Sequence, residues 1–545
     1  MSPLNPRATL ATHEVTNQPP PFENINLFAT DTALRDAVKR EGGEPHAAHL
    51  NSFGTRVGSA EVIAWGFDAN RNAPELKTFD RFGRRIDEVN FHPSYHKLME
   101  LGLEGGVASL AWTAQNGGHV AHTAILYMMA QIEQGVCCPM TMTYAALPAL
   151  RHQPDLSREW EPRITAGRYD ASSQPAGTKR GVTIGMAMTE KQGGSDVRAN
   201  TTKATPTGDG AFTLTGHKWF CSAPMCDAFL TLAYTDKGLT CFLVPRWKPD
   251  GERNAMHIMR LKDKLGDRAN ASSEIEYHGA YARQVGEEGR GVKTIIEMVH
   301  HTRLDCTIAP AAYMRQALAQ ALWHTSHRTA FQKKLIDQPL MARVLADLAL
   351  ESEAATALAF RIARSFDDGK SAALFSRLAT PIGKYWLNKR VVNFVYEAME
   401  CHGGAGYVEE SILPRLFRQS PLNSIWEGSG NVICLDVLRA LTREPETADA
   451  LFAELDQARG AYASLDKAID NAKQSLTAVT EPGARRLVET LALTLQASLL
   501  ARHAPTAIAD GFIATRLGDT PWRTYGAFEA EIDVGAIVAR AMPAA

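Results

Sequence analysis

Gly181-Val-Thr-Ile-Gly-Met-Ala-Met-Thr-Glu-Lys-Gln-Gly-Gly-Ser-Asp-Val197 is where the chain changes character. Its first half, Val182–Met188, is an apolar run of strand length, and its second half is a turn-forming mixture of Gly, Ser and Asp. Further short runs follow at Ala211–Thr215, Ala228–Tyr234, Thr240–Val244 and Ser273–Tyr277, each flanked by turn residues. On either side the spacing is helical. Ala108–Gln131 repeats apolar residues at intervals of three and four, interrupted at Gly117–Gly118. Met298, Leu304, Ile308, Met314 and Leu318 continue such a stripe beyond Gly291. The reading outward from Gly181 is therefore an arm at 1–44, kept irregular by Pro19, Pro20 and Pro21, and a helical domain at 45–180. A compact β domain at 181–290, a helical bundle at 291–445 and a further helical domain at 446–545 follow. Strands and helices do not alternate, which excludes a Rossmann-type fold, so any nucleotide cofactor must be held another way.

The 545 residues are 45% hydrophobic and 22% charged, an ordinary globular composition with ample sequence for a large core. Lys+Arg 58 against Asp+Glu 60 gives a net charge of -2, so the bulk charge announces neither a nucleic-acid nor a membrane partner. Cys137, Cys138, Cys221, Cys226, Cys241, Cys306, Cys401 and Cys434 are scattered, with no CxxC spacing and no His-rich cluster. They predict buried free thiols in a reducing cytoplasm, with neither a metal site nor a disulfide framework. Met1–Pro21 has no basic-then-apolar signal, and no apolar run approaches the roughly 20 residues that span a bilayer. The expected location is the cytoplasm.

Four segments carry chemistry. In Met186–Val197, Gly193 and Gly194 let backbone N–H groups approach an acceptor closely, while Thr189 and Ser195 add hydroxyl donors. That suits a flat heteroaromatic ring with an adjoining pyrophosphate, or else a polar β turn. In Gly216-His-Lys-Trp-Phe-Cys-Ser222, the aromatic pair can pack on a ring face with Ser222 at its edge, or can be plain core. In Asn423-Ser-Ile-Trp-Glu-Gly-Ser-Gly-Asn431, a desolvated Glu427 would gain pKa and become a usable base. The alternative is a Glu near a helix start, stabilised by the helix dipole. Glu400-Cys-His-Gly-Gly-Ala-Gly-Tyr407 reads as a helix C-cap with a tight turn, or as backbone closing on an adenosine-diphosphate moiety.

In this order the four segments resemble the acyl-CoA dehydrogenase superfamily over roughly residues 45–445, and Lys264–Arg268, Gly286…Gly291 and Arg328…Phe331 add to the likeness. The resemblance implies an α+β multidomain fold: a helical N-terminal domain, a central β-barrel domain and a helical bundle, here with an extra C-terminal helical domain. It implies FAD as the cofactor, lying against Met186, Ala187, Met188, Thr189, Glu190, Lys191, Gln192, Gly193, Gly194 and Ser195. Phe220, Cys221 and Ser222 would line the pocket, as would Ile425, Trp426, Gly428, Ser429, Gly430, Asn431, Val432, Ile433, Cys434 and Leu435. Arg328 and Gln338 would reach the FAD of a neighbouring subunit in a homotetramer, although Gln332 stands where the family more often has Gly. Glu427 matches the family's usual base; the alternative base position, before Arg303, holds Thr302, which cannot serve.

The wording MTEKQGGSDV, GHKWF, RLKDKLG, NSIWEGSGN and CLDVLRAL is similar to a bacterial alkylation-response branch of the superfamily. That likeness implies double-stranded DNA as a partner, protection against alkylating small molecules, and at most weak dehydrogenation. The competing reading is a metabolic dehydrogenase acting on a short or branched acyl-CoA without a DNA role. A scaffold with a vestigial flavin is the third. DNA binding needs cations that release counterions. From Pro445 onward the chain has nine basic residues against thirteen acidic ones. The candidates left for DNA are Arg439, Arg485 and Arg486, which read equally as solvated surface or intersubunit ion pairs.

Overall fold

The computed structural model describes residues 7–208, 210–477, 479–518 and 523–543. The first six residues of the expected arm and the last two of the expected C-terminal domain lie outside the described residues.

The β unit is a closed barrel. Strands β3 (Ile184–Ala187), β4 (Lys203–Gly208), β5 (Ala211–Ser222), β6 (Ala228–Thr235), β7 (Gly238–Pro245), β8 (Met256–Leu261) and β9 (Ser272–Val285) form one sheet. The ring runs β6–β7–β9–β5–β4 and returns to β6 through the parallel Lys203↔Tyr234 pair, which leaves β3 and β8 as outer additions. Closure removes exposed edges from the ring strands. Phe229, Leu230, Leu232, Phe242 and Leu243 are buried within it. Two of these strands are not marked by an apolar run. β4 buries only Ala204, and β8 is short; both exist because β5 and β9 are long enough to pair with them.

Two corrections fall in the N-terminal third. The span read as an irregular arm contains helix α1 (Thr32–Arg40), begun by Asp31, whose carboxylate accepts from the Leu34 N–H. Leu34, Ala37 and Val38 supply its buried stripe. The region read as helical carries an antiparallel hairpin, β1 (Glu75–Phe79) and β2 (Arg85–Asn90). Helix α2 (Gly118–Ile132) is buried at every residue, and α3 (Cys137–Leu150) packs beside β3.

The bundle is built on three long helices: α4 (Gly291–His327), α5 (Pro339–Asp367) and α6 (Ala373–Glu400). Between α4 and α5 a small hairpin, β10 (Thr329–Ala330) and β11 (Lys333–Lys334), turns at Phe331 and Gln332, both at positive φ. A two-residue turn of this kind favours Gly or Asn, so the departure at Gln332 is accommodated at a conformational cost. Phe331 projects 92% exposed from its tip. Helix α7 (Gly430–Arg443) packs on α6, and so do the C-terminal helix Glu446–Asp456 and α8 (Ala484–His503). No described helix is long and apolar enough to cross a membrane.

Candidate active site

Glu427 stands on a left-handed turn just before α7, with φ +57 at Glu427 and +100 at Gly428. A side chain at positive φ is strained, and what surrounds it must hold it there. Three helices do so. From α4, the Thr302 hydroxyl donates to Glu427 Oε2 at 2.6 Å and Arg303 Nε donates to the Glu427 carbonyl at 3.1 Å. From α6, the Lys384 ammonium donates to the carbonyls of Asn423, Trp426 and Gly428 at 3.0, 3.0 and 2.8 Å. From α7, Asp436 receives Arg303 Nη1 at 2.8 Å and is also held by Arg377. Within the turn, Trp426 Nε1 donates to Asn423 Oδ1 at 2.6 Å. Burial pushes the Glu427 pKa above its ordinary value, against the Thr302 hydrogen bond and the charges of Lys384 and Arg303. Both sequence readings of this segment describe its position, since the carboxyl is desolvated and stands three residues before α7.

The glycine-serine turn leaves β3 and is tied to β5 by the Trp219 N–H, which donates to the Thr189 carbonyl at 2.8 Å. Glu190 and Gly193 close it with reciprocal backbone bonds. A Cβ on Gly193 would meet the Asp196 carbonyl at 2.5 Å, so this tight curvature requires glycine. Gly194 and Ser195 face outward, and neither the Thr189 nor the Ser195 hydroxyl is spent on a bond within the described residues. The Phe220 ring is 52% exposed beside them, with Lys262 Nζ 4.5 Å from its centre. Open backbone, two uncommitted hydroxyls and an exposed ring fit a flavin dinucleotide well.

Not every residue of the expected pocket turns its side chain that way. Glu190 points into the protein and pairs with Lys218 at 2.8 Å, and Gln192 donates to Glu190. Cys221, Ile433 and Cys434 are buried in the core, which leaves only their backbone for a cofactor. On the helix after Glu427, Asn431 and Leu435 face outward instead. Arg328 and Gln338 are not brought to the Glu427 turn. Arg328 ends α4, 26 residues beyond Thr302, or roughly 39 Å at 1.5 Å per residue. There Arg328 donates to the Asn17 carbonyl and Gln338 to the Ala330 carbonyl, both beside the Phe331 hairpin.

Cys138, read as an ordinary core thiol, sits at the junction of the two halves. Burial pushes its thiol well above the ordinary value, with Ser222 and the Glu427 carboxylate among the groups that act on it. Lys384 was also missed. Its only trace in the sequence is a cation on an otherwise apolar helical stretch, Ala379–Leu387. Among the basic candidates, Arg439 is exposed and 3.8 Å from Asp436. Arg485 lies near Gly430 and 6.0 Å from the Tyr385 ring, and Arg486 is exposed. Arg459, Lys473, Arg502, Arg516 and Arg540 are already engaged by carboxylates.

Residues 185–280 match the acyl-CoA dehydrogenase middle domain, and residues 289–442 match its C-terminal domain. Residues 17–171 match the adaptive response protein AidB N-terminal domain. The chain is 45% identical to the putative acyl-CoA dehydrogenase AidB of Escherichia coli strain K12 over 93% of this chain and 94% of that protein. The chain belongs to the acyl-CoA dehydrogenase family. Within that family it is AidB-like, and the family's enzymes are FAD-dependent dehydrogenases. It is also 30% identical to acyl-CoA dehydrogenase family member 11 of Caenorhabditis elegans, over 92% of this chain and 85% of that one. The crystal structure of Caenorhabditis elegans ACDH-11 in complex with C11-CoA matches with a TM-score of 0.85 at 26% identity, covering 95% of both chains. The apo form of Bd2924 matches with a TM-score of 0.81 at 29% identity, over 89% of this chain and 99% of that one.

Proposed function

We propose that this AidB-like family member oxidises an acyl-CoA, with Glu427 removing the proton from the carbon α to the thioester. FAD, held against Thr189–Ser195, Phe220 and Ser222, supplies the acceptor for the hydride that leaves the β carbon. The observation that carries the reading is the Glu427 carboxyl itself. Oε2 is occupied by Thr302 at 2.6 Å, which leaves Oε1 for a substrate proton. Burial raises its pKa toward the range in which a carboxylate accepts protons usefully. Lys384 and Arg303 hold the carbonyls of the turn that carries it, and Thr302 holds the carboxyl itself. The ACDH-11 structure with C11-CoA supports acyl-CoA as the ligand class. The exposed Phe331 hairpin, with Arg328 and Gln338 beside it, supports a homotetramer in which these residues serve a neighbour's flavin. An absorbance spectrum of the purified protein followed by anaerobic titration with a panel of acyl-CoAs tests this. The expected result is a yellow protein bleached by at least one acyl-CoA. Colourless protein that never takes up FAD, or flavin that no acyl-CoA bleaches, overturns it.

We also propose a second role, which the match to the adaptive response domain supports: association with double-stranded DNA during alkylation stress, protecting it or inactivating alkylating agents. Arg485 and Arg486 support it as exposed cations with no ion pair among the described residues, and Arg439 adds a third exposed cation. A gel shift across salt concentrations is the test. Specific cation contacts predict that affinity falls steeply with salt, and that replacing Arg485 and Arg486 lowers the salt slope by about two. Absence of binding removes this role and leaves the first untouched.

A further inference from the structure

The proton transfer above uses Glu427 and the hold of Lys384 on its turn, but gives the charge of that lysine no part. Lys384 is 1% exposed in the middle of α6, and its three ammonium protons meet three backbone carbonyls, those of Asn423, Trp426 and Gly428. With Arg303 on the Glu427 carbonyl, four carbonyls of one short segment converge on two buried cations. Carbonyl dipoles aimed at one point repel each other, and a central cation reverses the sign of that interaction. An ammonium is the matching donor here, because its three protons splay from a single point, whereas a guanidinium presents a planar fork. The conformation so held is the positive-φ turn at Glu427 and Gly428.

The charge balance singles out the same residue. Around Glu427 stand Thr302, Arg303 and Cys306 from α4, Lys384 from α6, with Lys389 further along it, and Cys138 from α3. Asp436 of α7 faces it from behind Arg303. Burial pushes both thiols up, Cys306 to about 12, so they stay neutral. Arg303 is paired with Asp436 at 2.8 Å. Among the described residues Lys384 has carbonyls and no carboxylate in hydrogen-bond contact, so its charge acts on Glu427 without an ion pair between them.

We propose that Lys384 is a positioning residue for Glu427: its ammonium fixes the left-handed turn that aims the carboxylate, and its charge favours the ionised base without forming an ion pair that would quench it. The inference rests on Glu427 being the base of the proposed reaction.

The test follows ionisation of Glu427 in the full-length, flavin-containing protein by infrared difference titration, with its carboxyl band assigned by loss in Glu427→Gln. In Lys384→Met the band is expected to titrate about one pH unit or more above the parent. Anaerobic flavin reduction by acyl-CoA at neutral pH should fall about tenfold, with the loss recovered at higher pH. Lys384→Gln keeps two N–H donors without the charge, and should show the same shift with a better-held turn. A purely structural lysine predicts instead that Gln restores parental behaviour and that neither variant moves the titration. A parental titration in either folded variant overturns the proposal, and so does a loss of rate with an unchanged pH profile. If neither variant folds, the coupling is read from its other end: by reciprocity Glu427→Gln must lower the titration of Lys384, followed by NMR of 15N-labelled lysine, by the same amount, and an unchanged Lys384 titration overturns the proposal. If no acyl-CoA reduces the parent's flavin, the proposed function falls, while the infrared titration still tests the coupling of Lys384 to Glu427.

Discussion

Glu190 and Glu427 each have a buried lysine close by, and the two carboxyls are left in opposite states. At Glu190 the lysine points at the acid: Lys218 Nζ is 2.8 Å away and both side chains are 0% exposed. Thr201 and Thr202 add backbone and hydroxyl donors. Burial works against this anion, but the charge and hydrogen bonds of Lys218, with those of Thr202 and Thr201, outweigh it and pull the pKa down to about 2. At Glu427 the lysine points at the backbone. Lys384 gives its protons to three carbonyls, the carboxyl keeps one hydroxyl donor, and burial wins. Where an ammonium sends its protons decides whether the glutamate beside it is held as an anion or left for burial to raise its pKa.

The contrast can be broken most severely at the anchor. Lys218→Met leaves Glu190 buried and uncompensated, and should cost about 3–5 kcal/mol, read as a lower denaturation midpoint. The same pair predicts an acid dependence. Because the folded pKa of Glu190 lies below its ordinary 4.5, its contribution to stability is present above that pH and is lost as pH falls toward about 2. Glu190→Gln should flatten that part of the stability curve, which acid titration of unfolding would reveal. Thr302→Val sharpens the other side. It removes the hydrogen bond that opposes burial, so the acid limb of flavin reduction should move up by about one pH unit or less. The neutral-pH rate would then drop by about tenfold at most. The smallest expected effect is on stability at the base. The folded pKa of Glu427 is raised, so the group favours folding at low pH and that benefit is lost as pH rises through the folded value. Glu427→Gln should therefore raise the melting temperature by about 1–2 °C at neutral pH and leave it unchanged in acid, by calorimetry at two pH values.

Each chemistry-bearing turn had an ordinary structural use as well, and only the order of all four segments along the chain carried the reading. The barrel's place between helical halves was legible from its apolar runs. β4 was not, since Lys203–Gly208 buries one residue, contains Pro206 and is a strand only by virtue of pairing with β5. The β1–β2 hairpin was hidden for a related reason. Glu75–Phe79 has no buried residue at all. Helix α1 did carry its signals, an Asp cap followed by apolar residues at helical spacing, and the prolines that keep the arm irregular end at Pro21, ten residues before that cap. At the site, Glu427 could be picked out by its Trp and Gly neighbours. Its supports could not, because Thr302 lies 125 positions away in sequence and only the bundle brings it into contact. The direction of the Glu190 side chain was equally out of reach, since it depends on Lys218 being on the inward face of β5.

One measurement addresses the role of Glu427 most directly: anaerobic mixing of the yellow protein and its Glu427→Gln variant with an acyl-CoA that bleaches the parent, followed by flavin absorbance. Equal flavin content is expected, with rapid bleaching of the parent and a rate reduced by about 10²–10⁴ in the variant. Bleaching of the variant at the parental rate would contradict that role.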